Sequence, residues 1–287
     1  MNSPMGDFLR PEGYLGPQGL RALSRESSAA VELARYLRRA RADRKSRKSG
    51  AYADAGRRHA HEPVMLIPGF MAGDPTLRAM SSMLRGAGYR TYRAQIQVNA
   101  GCTREAADRL ERRLEAIAIR RGRKVSIVGH SLGGMLARGL AARRPDLVAG
   151  IVSMGSPIMA PGAVHGVLAW DAEMLTRLAR AGFGGLMSDD CVGGECARTS
   201  FEEMQAPLDP DVAFTAIYSR RDGIVDWRAC IDPAAEAVEV PTSHVGMAFD
   251  PVVFDVVRDA LDRHQVMRAS RAAAPDASAP LRPAVNR

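Results

Sequence analysis

No stretch of eighteen consecutive apolar residues occurs in the 287-residue chain, so a hydropathy reading gives no membrane-spanning helix. The first residues, MNSPMGDFLRPEGYLGPQG, have no apolar h-region and no A-x-A cleavage pattern, so no secretory signal peptide is visible. The expected localisation is cytoplasmic, with membrane association as the alternative. Cysteine is scarce: Cys102, Cys191, Cys196 and Cys230 are the full set. With no C-x-x-C and no H-E-x-x-H, neither a metal nor a cofactor is expected. Cys191 and Cys196 bracket V-G-G-E and would close a small disulfide, but free thiols are the better reading for a reducing compartment.

A net positive charge is missing from the middle of the chain. The formal net charge of +8 arises at the ends: residues 1–60 carry 13 Lys+Arg against 6 Asp+Glu, and residues 264–287 carry 4 against 1. Residues 61–263 carry 23 against 25, so the body gives no reason to expect nucleic acid as a partner. The division that follows is a basic N-terminal helix and linker over 1–60, a globular domain over 61–263 and a disordered Ala/Pro/Arg tail over 264–287. In the first part, Leu20, Leu23, Ser27, Ala30, Ala34 and Leu37 recur at helical spacing. Such a stripe packs on the parent domain or, with Arg35, Arg38, Arg39 and Arg41 beside it, lies on an anionic membrane surface.

Within the domain, short apolar strands alternate with helical segments. Strands are expected at 63–67, 89–96, 124–128, 147–154, 212–218 and 237–240. Helices are expected at 76–85, 103–121, 132–143 and 251–261. That rhythm implies crossover units and a mostly parallel sheet of about six strands with helices on both faces, an α/β architecture. It stops between Ser156 and Pro210. This insertion, about 157–210, is expected to hold one helix over 164–180 and to act as a lid or cap, with its Met, Leu and Val residues and Trp170 forming an apolar wall.

At the end of the strand V125-S-I-V128 the chain reads G129-H-S-L-G-G134. A serine between glycines, after a buried strand and before a helix, is the setting of a nucleophile elbow. A Cβ at Gly129 or Gly133 would collide with neighbouring backbone, so the sharp turn displays the Ser131 hydroxyl at the carboxyl edge of the sheet. An alcohol needs a base, and the base needs an orienting acid. Six histidines are available. His244 lies in a loop after the last strand and is the expected base. His264 ends a helix and is read as exposed, His59 and His61 precede the sheet, and His130 should diverge from Ser131. Asp222, at the tip of S219-R-R-D-G-I-V225, is the expected acid, with Asp226 its competitor. The catalytic set is therefore Ser131, Asp222 and His244. The oxyanion donors are the amides of Leu132 and of Phe70 in L66-I-P-G-F-M-A72, with Met71 as the alternative to Phe70.

These segments resemble the α/β-hydrolase superfamily, and within it the bacterial lipases and esterases of the triacylglycerol-lipase kind. G129-H-S-L-G-G134 is similar to the lipase elbow, and I67-P-G-F70 to the family's His-Gly-x oxyanion strand, with Pro68 where His is commoner. S219-R-R-D-G-I-V225 resembles the Asp-x-x-Val acid loop, and S243-H-V-G-M247 the His-x-Gly base loop. The likeness covers about residues 62–263. It implies the α/β-hydrolase fold without the first two of its eight strands, with residues 1–60 placed to stand in for them. It also implies hydrolysis of an ester or lipid, a small-molecule substrate, through an acyl-enzyme without a cofactor. An acyltransferase or thioesterase would use the same three residues. A non-catalytic module binding a membrane or an acidic partner through the N-terminal helix is the remaining reading.

Overall fold

The computed structural model describes residues 6–48 and 62–273. His59, His61 and the rest of the linker over 49–61 lie outside the described residues, as does the tail from 274 onward.

Six strands form one parallel sheet: β1 (Pro63–Ile67), β2 (Arg90–Arg93), β3 (Val125–His130), β4 (Val148–Met154), β5 (Ala213–Tyr218) and β6 (Glu236–Glu239). Their order is β2-β1-β3-β4-β5-β6, and every pairing is parallel. β1, β3 and β4 are buried along their whole length, as expected of strands covered on both faces. Alternation divides their side chains between two layers. Met65, Ile67, Ile127 and Ile151 face α4 (Thr103–Arg121) and α5 (Leu132–Arg143), where Leu110, Leu114, Leu136 and Leu140 meet them. Val64, Leu66, Val128 and Val152 face α3 (Arg78–Gly86) and α9 (Pro251–Ala273), where Met80, Leu84, Val253 and Val257 close the second layer. The edge strand β6 is largely exposed and carries Glu236 and Glu239, charges that discourage pairing with another sheet. Among the described residues no helix is long and apolar enough to cross a membrane.

Four expectations change. The insertion holds three helices rather than one: α6 (Gly166–Arg180), α7 (Asp189–Gly193) and α8 (Glu195–Gln205). The C-terminal helix does not stop near 261 but runs to Ala273, ten residues into the segment read as a disordered tail. His264 is buried on that helix, beside β5, with its Nε2 3.0 Å from the Thr215 hydroxyl. Burial, reinforced by Arg268 and Arg263, pushes its pKa down to about 4. A helix end is exposed only when the helix ends there, and this one continues.

The fourth concerns the N-terminal helix. It is broken into α1 (Gly19–Ser24), a 3-10 turn over Arg25–Ser28 and α2 (Ala29–Lys48). The tighter turn rotates the two halves out of one helical register. The apolar stripe consequently does not dock: Leu20, Val31 and Leu37 are 85%, 58% and 45% exposed. A polar face docks instead, led by Glu32, which is 1% exposed.

Candidate active site

Ser131 sits between β3 and α5 with φ 53° and ψ −123°, a backbone conformation that a residue with a Cβ adopts only under strain. Its own amide is held by the Met154 carbonyl at 2.8 Å. A Cβ on Gly129 would lie 2.3 Å from the Gly133 carbonyl oxygen, and one on Gly133 would lie 2.1 Å from that of Ile67. Both contacts are backbone and cannot yield, so the turn requires glycine at each position.

His244 follows β6 and lies in the cavity that Ser131 lines, with Gly69, Phe70 and His130 in the same wall. Its Nδ1 is 2.7 Å from Asp222 Oδ2, and both side chains are buried. The second oxygen of Asp222 accepts the amides of Ile224 at 2.8 Å and Val225 at 2.7 Å, which fixes the carboxylate in the acid loop. Asp226 points elsewhere: it accepts the amides of Leu15 and Arg228 and caps the 3-10 turn Trp227–Cys230. Among the described residues the Ser131 hydroxyl has no hydrogen-bond partner. Serine–imidazole bonds commonly tighten only when substrate fills the site.

Burial alone would depress the His244 pKa. The charge and hydrogen bond of Asp222, with the more distant charge of Glu26, outweigh it and hold the imidazole above its ordinary value of 6.5. His130 does not diverge from the site. Its ring centroid is 4.9 Å from that of His244, and its Nε2 is 3.0 Å from the His244 carbonyl oxygen. Burial, and then the neighbouring His244, push its pKa down to about 3, so it packs against the His244 ring as a neutral group.

The two amides expected to face an oxyanion are unspent: among the described residues neither Phe70 N–H nor Leu132 N–H has an acceptor. Met71, the alternative, donates its amide to the Asn99 carbonyl at 3.0 Å and adopts φ 56°. Buried Asn99 also donates its side-chain amide to the Pro68 carbonyl at 3.0 Å, which ties the Pro68–Met71 turn from behind.

An apolar groove leaves Ser131 between Phe70, Leu168, Ala172 and Met187. A second hollow shares Leu9, Leu132, Met135 and Pro161 with it and reaches Phe201 and Met204 on α8. Leu9 comes from the N-terminal segment, where Phe8 packs on Phe201 with ring centroids 6.0 Å apart. The insertion thus supplies an apolar wall, but Trp170 is not part of it: that side chain is 58% exposed on α6.

Two residues that sequence reasoning passed over lock the loops together. Glu26 accepts the amides of Gly223 at 2.9 Å, His244 at 3.1 Å and Val245 at 3.0 Å, so one carboxylate grips the acid loop and the base loop at once. Glu32 accepts the amide of Ser243 at 2.8 Å and its hydroxyl at 2.5 Å. In the sequence both are ordinary helix-surface glutamates, and no spacing marks them. Glu26→Gln is expected to remove a negative charge near His244 while keeping most of the polar contacts. The acid limb of kcat/KM, set by protonation of the base, should then move to lower pH. A pH profile of wild type and variant checks this, and an unmoved limb would show that Glu26 does not act on the base electrostatically.

The alpha/beta hydrolase fold family model matches residues 78–188. A triacylglycerol lipase of Vibrio cholerae is 29% identical over 110 residues, which is 37% of this chain and 35% of that protein. The match spans about a third of the length of that curated relative. Among solved structures, a Bacillus licheniformis lipase in mature form is similar over 70% of this chain and 92% of its own, at 15% identity and a TM-score of 0.54. A monoglyceride lipase of Saccharomyces cerevisiae, solved with a substrate analogue, is similar over 75% and 89% of the two chains, at 15% identity and a TM-score of 0.52. The fold is that of the α/β-hydrolases, and the resemblance is to lipases and esterases.

Proposed function

We propose that this chain, an α/β-hydrolase in fold, is a carboxylic-ester hydrolase that works through Ser131, His244 and Asp222. The observation that carries the proposal is the buried 2.7 Å contact between His244 and Asp222, in a loop beside a serine held at φ 53°. A carbonyl seated over Ser131 is attacked by Oγ as His244 Nε2 takes the hydroxyl proton. Asp222 holds the proton on Nδ1, which keeps Nε2 free to accept. Negative charge gathers on the carbonyl oxygen, where the Phe70 and Leu132 amides receive it. His244 then gives its proton to the departing alcohol. Water, activated by the same imidazole, releases the acid from the acyl-serine.

The groove from Phe70 and Leu132 to Phe201 and Met204 suits the hydrocarbon of an acyl group, and the V. cholerae relative's name is consistent with a lipid ester. Kinetics on p-nitrophenyl esters of increasing chain length test this. kcat/KM should rise from acetate to medium-chain esters, by up to about tenfold for each two methylenes buried. A flat series would mean that the groove does not hold the acyl chain. Acyl transfer to an alcohol or use of a thioester would employ the same residues, and product analysis with added alcohol or acyl-thioester separates them.

The exposed Val31 and Leu37 on α2, with Arg38 and Arg41 on the same helix and exposed Leu20 on α1 before it, suit peripheral contact with an anionic membrane. Sedimentation with anionic and neutral vesicles checks it. Equal and negligible binding to both would remove that role.

A further inference from the structure

Three of the four cysteines meet at one point that the proposed chemistry does not use. Cys102 immediately precedes α4, Cys191 lies in α7, and Cys196 lies in the first turn of α8. All three are free thiols, and their sulfurs lie within 4.8 Å of one another. Cys102 and Cys196, 94 residues apart in the chain, bring their sulfurs to 3.4 Å. Cys191 and Cys196, weighed from the sequence as a small disulfide and read as free thiols, are thus two corners of a triangle, and the third comes from a distant segment.

We propose that Cys102, Cys191 and Cys196 form a three-sulfur binding site for one thiophilic d10 cation, Zn2+ or Cu+. Metal–sulfur bonds of about 2.3 Å place the sulfurs of one coordination sphere about 3.8–4.0 Å apart. The Cys102–Cys196 spacing of 3.4 Å lies just below that range and the others do not exceed 4.8 Å, so small side-chain rotations would close the site. A disulfide would use two sulfurs and leave the third without a purpose. A metal ion uses all three, which makes the triangle more informative than any pair within it.

Burial raises the thiol pKa of Cys191 and pushes that of Cys196 up to about 12, so a bound ion would have to displace their protons. Cys102 stands at the N-terminal end of a 19-residue helix and Cys196 near that of an 11-residue helix, and the positive ends of both dipoles stabilise bound negative charge. Asp190, adjacent to Cys191, already accepts the Cys196 amide at 3.3 Å, and among the described residues the ligand atoms that converge are the three sulfurs. The protein therefore offers three ligands. That number suits planar Cu+ directly, or Zn2+ with a water completing the tetrahedron.

Binding would clamp the insertion to the body of the domain. α7 and α8 belong to the insertion, whereas Cys102 opens a core helix under the sheet. Cys191 also lines the apolar groove near Ser131, so the ion would set the width of the groove without touching the reacting atoms. The site does not depend on the proposed esterase activity, and its test needs no substrate.

The full chain, reduced and freed of metal under anaerobic conditions, is titrated with Zn2+ against a chromogenic chelator and, separately, with Cu+ against bicinchoninate. One equivalent per chain is expected for at least one ion, with affinity at least about 100-fold weaker in Cys102→Ser and unchanged in Cys230→Ala. Bound ion should raise the thermal midpoint of the wild type. It should also protect three thiols of the wild type from alkylation, counted by intact mass, a readout that needs no variant to fold. Absence of stoichiometric binding by either ion would overturn the proposal. So would undiminished binding by folded Cys102→Ser, or a Cys102–Cys196 disulfide in protein kept with one equivalent of metal.

Discussion

Replacing Ser131 with alanine is expected to lower kcat/KM on a simple ester by about ten-thousand- to a million-fold, while the far-ultraviolet spectrum and thermal midpoint stay near those of the wild type. The size follows from the chemistry. Without Oγ no acyl-enzyme forms, and the remaining amides of Phe70 and Leu132 can assist only direct attack by water. Stability should hold because the elbow is fixed by the backbone. Gly129 and Gly133 permit the turn, the Met154 carbonyl holds the Ser131 amide, and alanine tolerates the positive φ about as well as serine. Steady-state kinetics on a p-nitrophenyl ester make the measurement. An activity loss of less than tenfold would remove Ser131 from the reaction.

Asp222→Asn should cost about ten-thousand-fold in kcat, and Asp226→Asn less than about tenfold. The two aspartates are four residues apart in one loop, so the pair of variants is internally controlled. At position 222 an amide NH2 turned toward His244 Nδ1 would meet a donor with a donor. The ring would shift to the tautomer that carries its proton on Nε2, where it cannot accept one from serine. At position 226 the carboxylate holds the Leu15 and Arg228 amides and contacts no part of the base, so its loss is a matter of local stability. Equal effects of the two substitutions would contradict the assignment of Asp222.

A related expectation concerns pH. His244 must be neutral to accept a proton, and Asp222 holds its pKa above 6.5 despite burial. Activity should therefore fall as pH drops through a value higher than that of a free imidazole, in addition to any loss from unfolding. The Glu26→Gln profile resolves how much of that elevation comes from beyond the acid.

What could be read in the sequence was what depends on neighbours along the chain. The buried runs of β1, β3 and β4 carry their apolar residues consecutively, and α4 was legible from Leu110, Leu114 and Ile117 at helical spacing. The elbow was legible because its glycines must lie two residues to either side of the serine they accommodate. The order of loops after successive strands brought Asp222 and His244 into consideration.

Contacts made at long range left no such trace. Glu26 and Glu32 read as surface charges, because a helix surface is where glutamates usually lie. Glu32 is buried and Glu26 half-buried because the loops around Asp222 and His244 present amides that need acceptors. The stripe from Leu20 to Leu37 has a helical period, but the 3-10 turn over Arg25–Ser28 interrupts it and the polar contacts decide which face docks. His264 was misread because α9 is longer than its buried apolar pattern, its final turns being largely exposed, Val266 and Met267 included. Cys102 was not associated with Cys191 and Cys196 because 94 residues separate it from the latter, a distance that only the packing of α8 near α4 removes.

The central claim is that one hydroxyl in this protein is a nucleophile activated by an imidazole and a buried carboxylate. Incubation with an aryl alkylphosphonate, followed by intact-mass measurement and peptide mapping, tests it without assuming the natural substrate. The expected result is one phosphonyl group per chain, attached to Ser131, forming much more slowly in His244→Ala and not at all in Ser131→Ala. An unmodified protein after prolonged exposure, or a label on any other residue with Ser131 free, would contradict it.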